Sequence, residues 1–294
     1  MYQMMSLPLY SGTLGEYNSW RDLGQELERL GCDGIEGVWG GEDLPKDLPA
    51  ELILGYHLIF YPDWLDFYRD DRAALKQKFG SLEVTASFYG GLGPDTLLEQ
   101  YRADLRRAVN LGARYVVFHV SDVSLEEGYT YRWLHTNQEV IDAAVEVVNL
   151  ILGEERWPFE FLVENQWWPG FTFTEPEETA RLLEGIRFAG KGILLDTGHL
   201  MNACTELKTE AEGSDYIRRM LNRHGSLAKW VRGVHLHQSL SGAYVKAHTG
   251  SLPAGLPEDY MERFGVSYQH ILQIDQHRPW TDPAILSVLE QIAT

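Results

Sequence analysis

The feature that most constrains the fold is a repeated unit: an amphipathic helix, a short turn containing glycine, and an apolar strand that ends in polar residues. Its clearest copy is LLEQYRADLRRAVNLGARYVVFHVSD. The apolar residues of its first half recur at helical spacing: Leu98, Tyr101, Leu105, Ala108 and Val109. Gly112 is placed to end that helix. The segment Tyr115–Val120 is then apolar almost throughout, which is typical of a strand buried on both faces of a parallel sheet.

Further copies of this unit predict seven strands and six helices. The predicted strands are Leu7–Tyr10, Gly34–Val38, Ile53–Phe60, Tyr115–Val120, Phe159–Glu164, Ile193–Asp196 and Val231–His237. The predicted helices are Asn18–Leu30, Asp63–Phe79, Asp95–Leu111, Gln138–Leu152, Pro176–Ile186 and Gly213–His224, and the second connection, WGGEDLPKDLPAE, is too rich in proline and glycine for a helix. This alternation indicates parallel βαβ units and fits a (β/α)₈ TIM barrel as a single domain, residues 1–294. A doubly wound open sheet is the alternative, although neither GxGxxG nor GxxxxGK[ST] occurs.

Composition narrows the classes of partner. The net charge of −18 at pH 7 disfavours duplex DNA and favours a small-molecule substrate. Cys32 and Cys204 are too few for a disulfide framework, so we expect a reducing, cytoplasmic setting. The start of the chain does not resemble a signal peptide, and no apolar run approaches the roughly 18 residues of a membrane span, so no membrane association is expected. The oligomeric state stays open.

Five successive predicted strands end on histidine or an acid. The segments LGYHLIF, VVFHVSD, FLVENQWW, ILLDTGH and RGVHLHQS carry His57, His119, Glu164, Asp196 with His199, and His235 with His237. Taken singly, a histidine can be a hydrogen-bonded core residue, Glu164 can pair with an arginine, and Asp196 can cap a helix. In a barrel, however, these strand ends meet at one mouth, where burying so many polar groups is costly unless a cation pairs them. Imidazoles and carboxylates are ligands for Zn²⁺, Mn²⁺ or Fe²⁺.

The order His, His, Glu, Asp-x-x-His, His resembles the xylose isomerase-like TIM barrels, which include endonuclease IV and sugar isomerases and epimerases. DTGHLMN is similar to the Asp-Thr-x-His-Met-Asn of its sugar epimerases. Endonuclease IV-type members bind three metals through nine ligands, the last of them a Glu on strand eight. The resemblance implies eight of these ligands here: His57, His119, Glu164, Asp196, His199, His235, Asp275 and His277.

Some roles within this set stay open. The strand alternation points His235 and His237 to the same side, so His237 is an alternative ligand that an epimerase-like register would favour. Glu164 and His199 are the predicted catalytic residues. Asn165, Trp167 and Trp168 could form a wall of the substrate pocket.

Two chemistries fit such a site. A hydrolase with two or three metals would act on a phosphoester, and it needs many His and Asp ligands, which this chain has. A sugar isomerase or epimerase would use one metal and two carboxylates, of which only Glu164 is visible. We therefore favour a hydrolase for a small phosphoester with one to three divalent ions (Zn or Mn, or Fe), and keep a non-catalytic sugar-binding barrel as a third alternative.

The end of the chain, HILQIDQHRPWTDPAILSVLEQIAT, allows two predictions. In one, Ile271–Asp275 is strand eight and Asp275 replaces the Glu ligand. In the other, which we favour, Asp275 and His277 belong to the connection after strand seven, and Pro283–Ala293 is a helix. The barrel would then show seven strands, and the strand-eight Glu would lie roughly ten residues past Thr294, allowing a short αβ loop.

Overall fold

Seven parallel strands pair in the order in which they occur in the chain. The computed structural model describes residues 2–293. The strands are β1 Met4–Leu9, β2 Gly34–Trp39, β3 Ile53–His57, β4 Tyr115–His119, β5 Glu160–Glu164, β6 Lys191–Asp196 and β7 Val231–His235. The sheet curls into a half-barrel in which β1 and β7 are the two edges. A TIM barrel that lacks one strand is thus confirmed for the described residues, and the doubly wound sheet is wrong because the strand order never reverses.

Helices connect these strands and cover the outer face of the sheet. The first seven are α1 Ser11–Leu14, α2 Trp20–Leu30, α3 Leu65–Tyr68, α4 Arg72–Phe79, α5 Leu82–Tyr89, α6 Pro94–Asn110 and α7 Leu125–Thr130. The others are α8 Asn137–Leu152, α9 Pro176–Gly185, α10 Thr197–Asn202, α11 Glu210–His224, α12 Gly242–His248, α13 Tyr260–Ile274 and α14 Ile285–Ala293. Among residues 2–293, no helix combines the length and the apolar character needed to cross a membrane.

The prediction of one continuous helix over Asp63–Phe79 is wrong, because the structure has two shorter helices there. The chain forms α3, breaks at Asp70, where φ is 51°, and starts again as α4. Asp71 caps the new helix, since its carboxylate accepts hydrogen bonds from the backbone N–H groups of Ala73 and Ala74. The predicted strand Ile53–Phe60 is also too long, because β3 ends at His57.

The C-terminal region follows the second of the two predictions. Residues 271–274 are the last turn of α13, Asp275 and His277 follow that helix, and α14 begins at Ile285. An isolated antiparallel bridge joins Gln238 to Arg278, with backbone N···O distances of 2.8 and 3.1 Å. This bridge attaches the segment after α13 to the chain just beyond β7, so Asp275 and His277 lie at the mouth of the barrel.

Candidate metal centre

Five consecutive strands each end on a side chain of the candidate centre. His57, His119, Glu164, Asp196 and His235 are the last residues of β3, β4, β5, β6 and β7. The strands are parallel, and two neighbouring pairs of the set are direct register partners: His119 pairs with Glu164, and Asp196 pairs with His235. The sheet therefore places all five side chains together at the carboxyl-terminal ends of its strands.

The first ligand group consists of His57, His119 and Glu164. His57 Nδ1 lies 2.8 Å from the carbonyl oxygen of Leu58, which can only accept, so this nitrogen carries the proton and Nε2 faces the cluster. His57 Nε2 is 2.9 Å from His119 Nε2, and Glu164 Oε2 lies 3.3 and 3.1 Å from these two atoms. Glu164 Oε2 accepts no well-formed hydrogen bond within residues 2–293. Converging nitrogen atoms beside a buried carboxylate oxygen fit a divalent cation.

The second group consists of Glu164, Asp196 and His235. His235 Nδ1 lies 3.1 Å from Glu164 Oε1 and 3.6 Å from Asp196 Oδ2. Asp196 also caps α10, because its Oδ1 accepts a hydrogen bond of 2.7 Å from the backbone N–H of His199. The two interpretations of Asp196 from the sequence, helix cap and ligand, are therefore compatible, since each uses a different oxygen.

The remaining candidate ligands lie on the other side of Asp196. Asp196 forms one possible group with His199 and His237, and His237 forms another with Asp275 and His277. Asp196 Oδ2 is 2.8 Å from His237 Nε2, and Asp275 Oδ2 is 3.4 Å from His199 Nε2. The rings of His237 and His277 stack with centroids 4.1 Å apart. The four possible groups overlap, because Glu164, Asp196 and His237 each belong to two of them.

Burial and neighbouring charge together set the pKa values in this cluster. Burial alone would raise the pKa of the Glu164 carboxyl, but His235 and His119 hold it well below its usual range. Asp196 behaves in the same way, its pKa lowered by neighbouring histidines against the effect of burial. Burial would lower the pKa of His235, whereas Glu36 and Glu164 raise it well above its usual value. The carboxylates are therefore ionised at neutral pH, as metal ligands must be, and the cluster favours positive charge at its centre.

A cavity of about 1420 Å³ extends from the cluster to the opposite ends of the strands, where Met4 and Glu160 also line it. Trp167 and Trp168 line it, with ring centroids 4.2 Å apart, and Trp167 lies 5.1 Å from the ring of His199. Asn165 does not line it: its amide donates to the carbonyl oxygen of Asp196 and accepts from the N–H of the same residue, at 3.0 and 2.8 Å. Asn165 therefore joins β5 to β6 beneath the site and does not form the pocket wall that the sequence predicts for it.

Sequence reasoning missed one acidic residue of the centre, Glu36. It lies within β2, is 3% exposed, and its Oε1 is 2.9 Å from His235 Nε2. Burial would raise its pKa, but the neighbouring His235 lowers it overall. The available signal was an ionisable residue inside the apolar run GIEGVW, since such a residue is rarely buried without a partner.

The sequence profile of the family described as xylose isomerase-like TIM barrel matches residues 25–285. Similar solved structures include endonuclease IV from Thermus thermophilus, with 16% identity, coverage of 100% of this chain and 99% of that one, and a TM-score of 0.42. An L-ribulose 3-epimerase has 13% identity, coverage of 100% and 86%, and a TM-score of 0.49. The probable 3-DHS dehydratase AsbF from Bacillus anthracis has 15% identity, coverage of 98% and 99%, and a TM-score of 0.45. No curated protein matches the chain significantly. The profile match extends over most of the chain, which therefore belongs to the xylose isomerase-like TIM barrels.

Proposed function

We propose that this protein is a divalent-metal-dependent hydrolase that acts on a small phosphoester at a multinuclear centre. The proposal rests on one observation: the possible metal-binding groups have residues in common. Glu164 belongs to two of the possible groups, Asp196 to two and His237 to two. Carboxylates that belong to adjacent positions bring cations close together, and a pair or triad of cations suits phosphoryl chemistry better than proton transfer in a sugar.

The residues divide among three positions. His57 and His119 hold the first with Glu164, His235 holds the second with Glu164 and Asp196, and His237, Asp275 and His277 hold the third. His199 lies between the second and third, with Nδ1 3.3 Å from Glu164 Oε1 and Nε2 3.4 Å from Asp275 Oδ2. Divalent ions would supply Lewis acidity and would neutralise charge on the phosphoryl group. Glu164 is shared by the first two positions, and His199 links Glu164 to Asp275 of the third, so we assign the catalytic roles to these two residues.

The net charge of −18 supports a small substrate, because a long nucleic acid backbone would be repelled by the surface as a whole. A second candidate, a sugar isomerase or epimerase, is favoured by one observation. The paired rings of Trp167 and Trp168 line the cavity beside the ligand cluster, and aromatic faces suit the C–H surface of a sugar. That chemistry would use only the position formed by Glu164, Asp196 and His235.

Metal stoichiometry separates these candidates. We expect the purified protein to bind three divalent ions per chain, one for each position, and to hydrolyse a chromogenic phosphodiester. Elemental analysis after loading with Zn²⁺ or Mn²⁺ and gel filtration measures the count. One ion, together with ketose–aldose interconversion or epimerisation, would establish the second candidate. A protein that binds no metal would be a non-catalytic barrel.

The third position has its own test in His277→Ala. The His277 side chain is 59% exposed, so its removal costs little folding energy but deletes a ligand. We expect the metal content to fall by one ion per chain while the other two ions remain, and the thermal unfolding of the metal-free protein to stay unchanged. His248→Ala, which removes an exposed histidine at the end of α12, is the matched control. A variant that keeps all three ions would show that His277 is not a ligand.

A further inference from the structure

Glu36 contacts the ligand cluster from a strand that supplies none of its predicted ligands. We infer that Glu36 is a positioning residue: it holds the ring of His235 so that Nδ1 points at the position shared by Glu164 and Asp196. The inference rests on the proposed function, because it assigns His235 to a metal. It adds a carboxylate from β2 that acts through His235.

The two nitrogens of His235 face different carboxylates. Nε2 lies 2.9 Å from Glu36 Oε1, and Nδ1 lies 3.1 Å from Glu164 Oε1. An ionised carboxylate can only accept, so Nε2 carries a proton and donates a hydrogen bond to Glu36. When a cation binds, the ring must be neutral, and Glu36 then leaves the lone pair on Nδ1 for the metal. A carboxylate on the far nitrogen of a ligating histidine fixes both its tautomer and its orientation.

The strand register places Tyr115 where its hydroxyl can hold the Glu36 carboxylate. Glu36 on β2 is opposite Gly55 on β3, which is opposite Tyr115 on β4. The Tyr115 hydroxyl donates to Glu36 Oε2 at 2.7 Å, so its ring must cross β3 to reach the carboxylate. A Cβ atom at residue 55 would overlap that ring, which means that the crossing requires glycine. Residues on three adjacent strands are thus arranged to hold one carboxylate.

Glu36 could act on a metal through His235 or bind the metal itself, and the ring nitrogen that it contacts distinguishes these two roles. Glu36 contacts Nε2, whereas Glu164 and Asp196 face Nδ1. The two ring nitrogens point in different directions, so an ion bound at Nδ1 lies on the opposite side of the ring from the Glu36 carboxylate. Glu36 therefore acts on the metal through His235 and does not bind it.

The test is a Zn²⁺ titration of the metal-free protein with the variant Glu36→Gln. Glutamine keeps the size of the side chain but loses the charge that fixes the ring. We expect the same number of ions at saturation as in the wild type, with one position weakened by about 10- to 100-fold and the others unchanged. Glu160→Gln is the matched control, because Glu160 is opposite Tyr115 on β5, in the same row of the sheet, but is exposed.

The outcomes distinguish a failure of this inference from a failure of the proposed function. A wild-type protein that binds no Zn²⁺ refutes the proposed function, and the inference fails with it. A wild type that binds metal while Glu36→Gln binds it equally well refutes the inference alone. Loss of one whole ion at saturating Zn²⁺ would make Glu36 a ligand and would also overturn the positioning role.

A second variant covers the case in which Glu36→Gln does not fold. Tyr115→Phe keeps the carboxylate and removes only the hydroxyl that holds it. We expect the same single position to weaken, by less than in Glu36→Gln, with the thermal unfolding of the metal-free protein close to that of the wild type. Unchanged Zn²⁺ affinity in Tyr115→Phe would contradict a role for this support in metal binding.

Discussion

Replacing Glu164 by glutamine is expected to remove two of the three ions and to lower hydrolytic activity by more than about 10³-fold, the equivalent of roughly 4 kcal/mol of transition-state stabilisation. The physical reason is that Glu164 is shared. Its Oε2 faces His57 and His119, and its Oε1 faces His235 at 3.1 Å. A neutral amide cannot compensate cationic charge at either position, so both should lose affinity together. The third position, which does not use Glu164, should keep its ion.

Elemental analysis and activity on a chromogenic phosphodiester measure the two effects in Glu164→Gln. The control is Glu160→Gln, which alters an exposed acid at the other end of the same strand, β5. Far-UV circular dichroism should be unchanged, since Glu164 lies at the end of the strand and outside the apolar core. Retention of three ions would show that Glu164 is not a ligand, and loss of cooperative unfolding along with the metal would mean that the ions are structural.

Much of the candidate centre could be predicted from the sequence because each candidate ligand follows an apolar run. A strand buried on both faces must end where its polar residues begin, and parallel strands bring those ends together. That reasoning required no knowledge of the exact register. It placed His57, His119, Glu164, Asp196 and His235 at one edge, and the structure has each of them as the last residue of its strand.

Glu36 could not be assigned in the same way because its role depends on long-range register. Its partner His235 is 199 residues away in the sequence, and the tyrosine that supports it reaches it only across a glycine on the strand between them. A sequence pattern shows an acid inside an apolar strand, but not which neighbour it meets. The choice between His235 and His237 was open for a related reason. The alternation of side chains along a strand predicts that both histidines point to the same face of the sheet. In the structure β7 ends at His235, so His237 lies beyond the strand, and the two rings belong to different possible ligand groups.

The break between α3 and α4 was missed although its local signal was present. Apolar residues occur at helical spacing on both sides of it, and these favoured one continuous helix. Asp71, however, is a good N-cap residue, and Asp70 adopts a left-handed conformation that aspartate tolerates better than most residues. The break also has a tertiary reason, because it allows Lys78 of α4 to fold back onto the acids around α3.

Those acids form a buried charge network outside the candidate metal centre. Lys78 Nζ lies 2.7 Å from Asp63 Oδ1 and 2.7 Å from Asp66 Oδ2, and its side chain is only 9% exposed. Asp122 lies close by, where its Oδ1 accepts from the backbone N–H groups of Trp64 and Leu65. Burial raises the pKa of Asp63 to about 7 in spite of Lys78, so the lysine only partly offsets the cost of burying these charges.

We expect Lys78→Met to lower the free energy of unfolding by about 3–5 kcal/mol, because it leaves the buried Asp63 without its cation and leaves Asp66 with His135 alone. The loss should be largest above pH 8 and smaller near pH 5. The pKa of Asp63 in the folded protein is about 7, above the usual 3.8 of an aspartate, so at pH 5 the residue is protonated and has little need of Lys78. Above this pKa the carboxylate of the wild type is paired with Lys78, whereas the variant must bury its charge unpaired or keep it protonated, and the loss is therefore larger. Urea denaturation at the two pH values measures the difference.

Lys76→Met, at an exposed position of the same helix, is the control and should change stability by less than about 0.5 kcal/mol. Adding Asp63→Leu to Lys78→Met should restore part of the loss, since replacing a buried pair by apolar groups is often neutral. Equal stability of the Lys78 and Lys76 variants would show that the network contributes nothing to the fold.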